Sequence, residues 1–392
     1  MKILFGISAG ISIYKIPTII RMLRKKGHTI RVVMTPNATR MVSPIIFKTV
    51  TEEDVYIEDF SIKDPLAHIR LGDWADLLVL IPATANTIAK VANGIADNLL
   101  TSVVLAFEGK KIVFPAMNVK MYENQATQEN LNKLRRLNFK VVEPASGELA
   151  CGYSGRGRLP SEEAIVGLID RDIEEPLKGL KFIVTAGGTI ERIDPVRYIS
   201  NFSSGKMAFE IATYLFKKGA DVLIVRANTS ITAPDYISSI CVESAREMLE
   251  VLKKNLQSFD GLYMVAAPAD FRALDYSERK IKSGELKEIK VTSNPDIVKE
   301  IRKEFKEKFI VGFALETQDF EANAIKKLKE KGLNFIVLNP LTPQYNPMGG
   351  DRNSIILYSR DGKVGERMDS TKKEVAEYIV EETLKAFVNR GR

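Results

Sequence analysis

Two stretches of sequence decide the fold: KILFGISAG at residues 2–10 and KFIVTAGGT at residues 181–189. Each is a short apolar run that ends in glycines and small hydroxyl residues, and each is followed by a helix-like segment. This order is typical of the strand, turn and helix that open a βα unit. Two such openings in one chain predict two domains of the same general kind.

Strand-like and helix-like segments alternate after both openings. The predicted strands cover residues 29–34, 76–81, 111–114 and 140–142 in the first half and residues 221–225, 261–266, 309–314 and 335–338 in the second. Helices are predicted from residue 85, at 206–218 and at 320–331, with a hairpin-like tail around 354–364. Such alternation predicts an α/β fold with two doubly wound, mostly parallel, Rossmann-like domains.

The segment RDIEEPLK at residues 171–178 separates the two halves. It is short and charged and contains a proline, which is typical of a linker between domains. We therefore expect a first domain at residues 1–170, a linker at 171–178 and a second domain at 179–392.

Composition excludes several classes of protein. The 392 residues, with 45% hydrophobic and 27% charged side chains, suit two or three globular domains and neither a disordered nor a fibrous chain. No apolar run reaches the roughly 18 residues of a membrane span, and a strand-like run begins at once, so we expect a cytoplasmic protein with no membrane partner. The 2 cysteines and 2 histidines are too few for a disulfide framework or a structural zinc site. Any metal should be a hard ion held by oxygens.

The net charge of +7 arises from 57 basic and 50 acidic side chains. Lysine and arginine alternate with glutamate along the chain, as at residues 299–308, which is typical of solvated helix faces. No nucleic-acid partner is therefore expected. The small excess is compatible with anionic substrates such as phosphates.

The first domain lacks the features of a dinucleotide site. Its glycines do not have the G-x-G-x-x-G spacing, and its second strand ends in MTP at residues 34–36, without an acidic residue for the ribose hydroxyls. Ser8, Ser12 and Thr35 lie instead at predicted strand ends beside a helix amino terminus, where they would suit a single phosphate. The alternative, that these hydroxyls are ordinary helix caps, is about equally supported.

Other candidates follow other predicted strands. Thr84 and Asn86 lie in PATAN at residues 82–86, whose small residues would let backbone amides approach a flat ring or a phosphate, although a plain turn and helix cap would look similar. Asn118, in PAMNVKM at residues 115–121, could orient a carboxylate, but a turn-forming asparagine is the commoner explanation. His68 is a lone histidine, which is more often structural than catalytic.

The two cysteines have different surroundings. Cys151 lies in LACGYSGRGRL at residues 149–159, which is rich in glycine and predicted to be a mobile flap. A cysteine on such a flap is more often chemical than packed. Cys241 is predicted to pack as a small hydrophobic residue in a strand.

Together these motifs resemble known enzymes. HI at residues 68–69, PATAN, PAMNVKM and the Cys151 flap are similar, in order and spacing, to the flavin-dependent cysteine decarboxylases. NFSSGKM at 201–207, AAPADF at 266–271, KIK at 280–282 and NPDIV at 294–298 are similar to the phosphopantothenate-cysteine ligases. Over essentially its full length the chain resembles the bifunctional coenzyme A biosynthesis proteins, in which a flavodoxin-like flavoprotein domain precedes a ligase domain.

For the first domain, the resemblance implies FMN-dependent decarboxylation of phosphopantothenoylcysteine. Loss of carbon dioxide needs an electron sink, which a flavin provides by taking a hydride as the thiol is oxidised and then returning it. His68 would be the base, Asn118 would hold the substrate carboxylate and Cys151 would protonate the ene-thiol. The FMN-binding residues would be Ser8, Ser12, Thr35, Thr84 and Asn86. LPS at residues 159–161 replaces the family's methionine and acidic residue, which could alter flap closure but not the chemistry.

For the second domain, the resemblance implies ligation of 4'-phosphopantothenate to cysteine through an acyl-cytidylate, with CTP and Mg²⁺. Asn201 would bind the acyl-cytidylate, Lys280 would neutralise triphosphate charge in the transition state, and Asp270 would place the nucleotide or its metal. The implied CTP-binding residues are Met264, Val265, Ala266, Asp270, Lys280, Pro295, Asp296, Ile297, Val298, Phe313, Lys327 and Lys331.

This half departs from the family's pattern at two positions. Ser283 takes the last place of the usual K-x-K-K, and Pro268 replaces an aliphatic residue. Without the resemblance, Lys280 and Lys282 would be interpreted more simply as part of a solvated charged loop.

The resemblance also implies a homo-oligomer, with trimers of the first domain, FMN at subunit contacts and dimers of the second, together giving a dodecamer. Two alternatives are a nicotinamide-dependent oxidoreductase, which Thr35 disfavours, and a non-catalytic flavoprotein subunit, which the presence of His68, Asn118 and Cys151 disfavours. The sequence does not decide between CTP and ATP.

Overall fold

The computed structural model describes residues 1–58, 64–148, 154–171, 175–282, 288–341 and 348–389. The chain divides into two compact units, Met1–Ile173 and Glu174–Arg392. Within the second unit, Leu177 of the predicted linker is buried, and its N–H donates a hydrogen bond of 2.9 Å to the carbonyl of Lys218. Over the described ranges, no helix combines the length and the apolar character that crossing a membrane requires.

The first unit alternates strands and helices. In chain order they are β1 (Lys2–Ile7), α1 (Ile16–Lys25), β2 (Thr29–Met34), α2 (Pro44–Thr51), β3 (Val55–Tyr56), α3 (Ala67–Trp74), β4 (Leu77–Ala83), α4 (Ala85–Ala92), α5 (Leu99–Ala106), β5 (Lys110–Pro115), α6 (Val119–Glu123), α7 (Gln125–Arg136), β6 (Phe139–Val141), β7 (Ala145–Glu148), β8 (Ser154–Arg158) and α8 (Glu162–Ile169). Short 3-10 helices, Ile11–Lys15 and Ala38–Arg40, follow β1 and β2.

These strands form a parallel sheet in the order β3-β2-β1-β4-β5-β6. Apart from the two-residue edge strand β3, this is the 2-1-3-4-5 order of flavodoxin-like folds. Every residue of the central strand β4 is buried, because helices cover both faces of the sheet. β7 and β8 form a separate antiparallel ribbon. The predicted doubly wound fold is confirmed for this half.

The second unit has a similar plan. Its elements are β9 (Lys181–Ala186), β10 (Glu191–Arg192), β11 (Tyr198–Ile199), α9 (Lys206–Lys217), β12 (Asp221–Arg226), β13 (Ser238–Cys241), α10 (Ala245–Asn255), β14 (Gly261–Met264), β15 (Phe271–Ala273), β16 (Val291–Ser293), α11 (Ile297–Glu304), β17 (Phe309–Glu316), α12 (Phe320–Glu330), β18 (Phe335–Pro340), β19 (Arg352–Ser359), β20 (Gly362–Thr371) and α13 (Lys372–Asn389).

The main sheet of this unit has eight strands in the order β13-β12-β9-β14-β17-β18-β19-β20. The first six are parallel, and the β19–β20 hairpin extends the sheet in antiparallel fashion. Alternate residues of β14 pack on opposite faces. Leu262 belongs to the core shared with α10, α11 and α12, whereas the Tyr263 hydroxyl hydrogen-bonds Thr383 of α13 at 2.9 Å. The predicted parallel sheet and hairpin tail are confirmed.

The prediction that Cys241 packs as a buried residue is wrong. Cys241 is exposed at the end of β13. β13 is the edge strand of the sheet and pairs only with β12, so most of its side chains remain in solvent.

Candidate active sites

In the first unit, hydrogen bonds join the carboxyl ends of β2, β1 and β4. The N–H of Thr35 donates to the carbonyl of Ile7 at 2.9 Å, and the hydroxyl of Ser8 donates to the carbonyl of Pro82 at 2.6 Å. The strand order reverses between β1 and β4. Ligands of doubly wound sheets bind outside the carboxyl ends of the strands at this point.

Two of the predicted cofactor residues hold the backbone at this reversal point. Ser8 is only 2% exposed, and its oxygen also accepts a hydrogen bond of 3.0 Å from the N–H of Thr84. The Thr84 side chain caps α4 by accepting from the N–H of Thr87 at 3.4 Å. Ser8 and Thr84 therefore fix the loop after β4 against β1, which sets the position of backbone groups that a ligand could contact.

The other three predicted cofactor residues, Ser12, Thr35 and Asn86, are more accessible. Ser12 is half-buried in the 3-10 helix after β1, and Asn86 is exposed in the first turn of α4. Thr35 is half-buried, and its hydroxyl oxygen accepts from the N–H of Ala38 at 3.3 Å. The five predicted residues thus lie in the three segments, loop or first helical turn, that directly follow β1, β2 and β4.

The β7–β8 ribbon contacts the loop that carries Asn118. Asn118 caps α6, with its side-chain oxygen accepting from the N–H of Lys120 at 2.9 Å. The N–H of the preceding residue, Met117, donates to the carbonyl of Gly157 in β8 at 3.0 Å. A Cβ atom at Gly157 would lie 2.2 Å from the Met117 carbonyl oxygen. Only glycine therefore allows this close approach, and its importance was missed from the sequence.

The predicted acid, Cys151, lies outside the described residues, which resume at residue 154. The ribbon strands β7 and β8 flank this position on either side. Because Gly157 of β8 contacts Met117, the described part of the β7–β8 ribbon lies beside the Asn118 loop.

His68 is the second residue of α3 and is half-buried. α3 connects the parallel strands β3 and β4, so its amino terminus lies at the carboxyl edge of the sheet. His68 therefore shares this edge with Ser8 and Asn118.

The second unit repeats the arrangement around its own reversal point, between β9 and β14. The buried hydroxyl oxygen of Thr185 accepts hydrogen bonds of 3.1 Å from the N–H groups of Val265 and Ala266. The N–H of Ala267 donates to the carbonyl of Gly187 at 2.9 Å. The turn after β9 and the segment after β14 are thus fixed to each other.

Two cavities open at this edge. The larger, of about 370 Å³, includes residues of α9 and the start of α13, and the smaller, of about 190 Å³, includes residues of α11 and α12. They lie toward opposite faces of the sheet. Ala266, Pro268, Asp270 and Phe313 line both, so the two cavities meet at these residues.

Most of the predicted CTP-binding residues come together in the smaller cavity. It is lined by Met264, Ala266, Asp270, Pro295, Asp296, Ile297, Val298, Phe313, Lys327 and Lys331. Val265 lines the larger cavity instead, because successive residues at the end of β14 face opposite sides of the sheet. Lys280 lines neither cavity.

Acidic partners hold both lysines of the smaller cavity. Lys327 forms an ion pair of 2.7 Å with Glu316, and Lys331 forms one of 3.0 Å with Asp296. Asp296 also caps α11 by accepting from the N–H of Lys299 at 3.2 Å. An anionic ligand would therefore replace Glu316 or Asp296 as the partner of a lysine side chain that is already oriented.

Asn201 lines the larger cavity next to the meeting point. Its side-chain amide donates to the carbonyls of Ala267 and Pro268, at 3.2 Å each. A Cβ atom at Gly188 would lie 2.6 Å from the Asn201 carbonyl oxygen, so glycine is required there for the Asn201 loop to approach. Asp270, on the rim shared by both cavities, is exposed.

Lys280 is exposed, but the next residue is anchored. The N–H of Ile281 donates to the carboxylate of Asp194 at 3.2 Å, and Arg197 donates to the carbonyl of Ile281 at 2.7 Å. Asp194 is fully buried and also accepts from the N–H groups of Val196 and Arg197 at 2.8 Å. The hydrogen bond from the Arg197 side chain holds the pKa of Asp194 well below its ordinary value. Sequence reasoning missed both residues, although DPVR after a glycine-rich turn was a visible signal.

The described residues contain no group of three or more histidine, cysteine or acidic side chains that could hold a metal. Asp270 and Asp296 are the acidic residues lining the smaller cavity. Mg²⁺ is commonly held by one or two carboxylates together with substrate phosphates. The donor set therefore fits a magnesium ion that arrives with a triphosphate.

Comparisons with known proteins identify the family. Residues 1–174 match the Flavoprotein family, and residues 177–387 match the DNA/pantothenate metabolism flavoprotein C-terminal domain. The chain is 38% identical to the coenzyme A biosynthesis bifunctional protein CoaBC of Bacillus subtilis, covering 97% of this chain and 96% of the relative. It is 38% identical to the Escherichia coli K12 protein of the same name, covering 92% and 91%.

A crystal structure of the C-terminal domain of a coenzyme A biosynthesis bifunctional protein CoaBC is 34% identical, covering 55% of this chain and 99% of that chain, with a TM-score of 0.47. The relatives match along nearly their whole length, and the two family matches follow the order that the motifs predict. The chain therefore belongs to the family of coenzyme A biosynthesis bifunctional proteins, enzymes in which a flavoprotein domain is followed by a ligase domain.

Proposed function

We propose that this chain catalyses two consecutive steps: CTP-dependent ligation of 4'-phosphopantothenate to cysteine, and FMN-dependent oxidative decarboxylation of the product to 4'-phosphopantetheine. The observation that carries the proposal is the pair of cavities meeting at Asp270 in the second unit, with Asn201 beside the meeting point. This arrangement offers separate places for a nucleotide and for a second anionic substrate. The carboxylate to be activated would lie between them.

In the ligation, the pantothenate carboxylate attacks the α-phosphorus of CTP and pyrophosphate leaves. The cysteine amine then attacks the acyl carbon and CMP leaves. The smaller cavity would take the nucleotide, because Pro295 to Val298 and the two lysines line it. Asn201 would orient the acyl-cytidylate, since its amide is held at the rim by two backbone carbonyls. Lys280 would approach the triphosphate from its anchored segment.

Magnesium would be held by Asp270 and the triphosphate oxygens. Asp270 is the acidic residue shared by both cavities, so an ion there would contact the nucleotide close to the reacting phosphorus. Asp296 is a weaker candidate because it is already paired with Lys331 and caps α11.

In the first unit, the residues fit a mononucleotide. Thr35, and no acidic residue, follows β2, and the hydroxyls of Ser12 and Thr35 and the amide of Asn86 are accessible at the reversal point. This donor set suits one phosphate and disfavours a nicotinamide dinucleotide. When bound, FMN supplies the oxidation of the substrate thiol and the return of the hydride to the product.

The protein's own residues would then bind the substrate and move protons. Asn118 would donate its amide hydrogens to the substrate carboxylate, His68 would take the thiol proton, and Cys151 would donate a proton to the ene-thiol. The contact between Met117 and Gly157 supports the placement of the ribbon over the Asn118 loop.

We also propose a cytoplasmic homo-oligomer, with trimers of the first unit and dimers of the second combining into a dodecamer. The first unit exposes large apolar side chains, including Ile11 and Tyr14 at 66% and Ile45 at 67%, which favours burial against other copies. Light scattering coupled to size-exclusion chromatography would test the assembly.

The central test is an assay of purified protein with 4'-phosphopantothenate, cysteine, Mg²⁺ and either CTP or ATP. With CTP we expect equal amounts of CMP, pyrophosphate and carbon dioxide, and the denatured yellow protein should release FMN. Folded protein that forms neither CMP nor carbon dioxide would refute the proposal and favour a non-catalytic flavoprotein subunit. Release of NAD would favour the oxidoreductase.

A further inference from the structure

The base of the β7–β8 ribbon contacts the Asn118 segment on both sides of Asn118. On one side, the N–H of Met117 donates to the carbonyl of Gly157 in β8 at 3.0 Å. On the other side, the hydroxyl of Tyr122 donates to the carboxylate of Glu143 at 2.6 Å. Glu143 lies two residues before β7 begins. Asn118 therefore lies between two hydrogen bonds, one to each chain of the ribbon.

Tyr122 is also joined directly to Asn118 through the helix α6. Its backbone N–H donates to the carbonyl of Asn118 at 2.9 Å, which is the first hydrogen bond of this helix. The carbonyl of Tyr122 accepts from the side chain of Gln128 in α7 at 2.5 Å. α6 has only 5 residues, and helices of fewer than about 12 residues are marginal in isolation. The position of α6, and of Asn118 at its start, therefore depends on such contacts.

The hydrogen bond between Tyr122 and Glu143 is well supported on both sides. Tyr122 is 4% exposed, and its ring packs in a core cluster of the first unit. Glu143 also forms an ion pair of 2.6 Å with Arg135 of α7. A hydrogen bond to a carboxylate is stronger than one between neutral groups. Burial, and next the hydrogen bond to Glu143, raise the pKa of Tyr122 to about 12, so the hydroxyl remains a donor around neutral pH.

We propose that Tyr122 and Glu143 are positioning residues for decarboxylation, whose hydrogen bond fixes the start of α6 so that the Asn118 amide meets the substrate carboxylate. The inference rests on the proposed function, which assigns that carboxylate to Asn118. Tyr122 acts through its helix bond to Asn118, so neither positioning residue has to contact the substrate. Loss of this hydrogen bond should therefore weaken the binding of ligands that carry the carboxylate and leave other ligands of the same site unaffected.

The principal test is Tyr122→Phe in the full-length protein with FMN bound. Phenylalanine keeps the ring in the core, and the Glu143 side chain is 60% exposed, so water can replace the lost donor and the variant should fold. Two competitive inhibitors of carbon dioxide release are compared. For the serine analogue of phosphopantothenoylcysteine, which carries the carboxylate, we expect the inhibition constant to rise about 5- to 20-fold. For 4'-phosphopantetheine, which lacks it, we expect a change of less than about 2-fold.

Variants of the partner residue test the same hydrogen bond from the other side. Glu143→Ala should reproduce the effect of Tyr122→Phe, whereas Glu143→Gln keeps an acceptor oxygen and should restore most of the affinity. The double variant Tyr122→Phe/Glu143→Ala should be no weaker than either single variant, because both changes break one interaction. Glu129→Ala removes another exposed carboxylate, on α7, and is the matched control that should behave as wild type.

Hydrogen exchange of the peptide covering residues 117–124 separates this inference from the proposed function. Exchange in Tyr122→Phe should be faster than in wild type, and this readout needs no turnover. If wild type releases no carbon dioxide, the proposed function falls, and unchanged exchange would then overturn the positioning of Asn118 independently. In active protein, unchanged inhibition constants for Tyr122→Phe would overturn the inference. Equal rises for both inhibitors would also overturn it, by showing a general structural role.

Discussion

The hydroxyl oxygen of Thr185 accepts a hydrogen bond of 3.1 Å from the backbone N–H of Ala266, which lines both cavities of the second unit. The same oxygen accepts from Val265 at 3.1 Å. Ser8 has the equivalent role in the first unit, where it bonds both Pro82 and Thr84. In each unit, a hydroxyl residue at the end of the first strand fixes the loop across the reversal point where the ligand would bind.

Replacing Thr185 by valine should make the segment after β14, which lines both cavities, more mobile. The substitution keeps the shape but leaves two N–H groups without their acceptor, and each such loss costs about 1–3 kcal/mol when the group is buried. We expect ligase activity to fall, with faster hydrogen exchange in the peptide covering residues 261–268. Thr185→Ser keeps the hydroxyl and is the control. Unchanged exchange in Thr185→Val would contradict this role.

A methyl group at Gly157 should impair decarboxylation without affecting ligation. The Cβ atom of Gly157→Ala would lie 2.2 Å from the Met117 carbonyl oxygen, so β8 must move away from the Asn118 loop. We expect a fall in kcat for decarboxylation with normal formation of CMP. Gly27→Ala is the control, because Gly27 has φ +87° but no atom within 4 Å of the added Cβ. Equal decarboxylase activity in the two variants would argue against a catalytic need for this contact.

Strand positions could be predicted from the sequence because strands of a covered parallel sheet are continuous apolar runs. β2 was predicted at its observed limits, 29–34, and β4 within one or two residues. The edge strand β3 was missed because two half-buried residues leave no periodic signal. The burial of Cys241 was predicted wrongly for a related reason. The local sequence does not show that β13 has a neighbouring strand on one side only.

Residues that line a cavity could be located from the sequence where a motif marks them, and not where tertiary packing alone brings them there. Asn201 and Asp270 stand in motifs, and the structure brings both to the same cavity. Lys372 lies in an ordinary helix start, and only the packing of α13 on α9 brings it beside Lys206. For Ser8, the sequence suggested a phosphate contact, but it could not show that Pro82 and Thr84 already engage the hydroxyl.

The carboxylate of Asp194 should make stability depend on pH. Its pKa is lowered in the folded protein, first by the hydrogen bond from Arg197, relative to about 3.9 in the unfolded chain. The stabilisation is therefore fully present above about pH 4 and is lost as pH falls through the lower folded value. Asp194→Asn should reduce the free energy of unfolding most near neutral pH, and the difference from wild type should shrink in acid.

Denaturant titrations of wild type and Asp194→Asn from pH 2 to 7 would measure this difference. Asp361→Asn, at an exposed turn between β19 and β20, is the control and should show no such trend. Asp194 lies in the second unit, whereas the only tryptophan, Trp74, lies in the first. Tryptophan fluorescence therefore reports the unfolding of the first unit separately from that of the unit that carries the substitution. A pH-independent difference would show that the Asp194 carboxylate is not linked to folding in this way.

The two cysteines allow a matched test of the predicted acid. Cys151→Ser should oxidise and decarboxylate the substrate in a single turnover that leaves the flavin reduced and the ene-thiol unreduced, because a serine hydroxyl is a much weaker acid than a thiol. Cys241→Ser should be fully active, since Cys241 is exposed on an edge strand of the other unit. Mass spectrometry of the products distinguishes the two compounds. Normal 4'-phosphopantetheine formation by Cys151→Ser would show that Cys151 is not the acid that protonates the ene-thiol.

Asp270→Asn should change the magnesium requirement of the ligase. Asparagine keeps the shape and one oxygen but removes the charge that attracts a divalent cation. Because Asp270 lies where the two cavities meet, we expect half-maximal CMP formation to need about 10-fold more Mg²⁺, with decarboxylation unchanged. Asp275→Asn, an exposed residue outside both cavities, serves as the control. If Asp270→Asn instead raises KM for CTP at every Mg²⁺ concentration, Asp270 contacts the nucleotide directly and the metal is held by the phosphates alone.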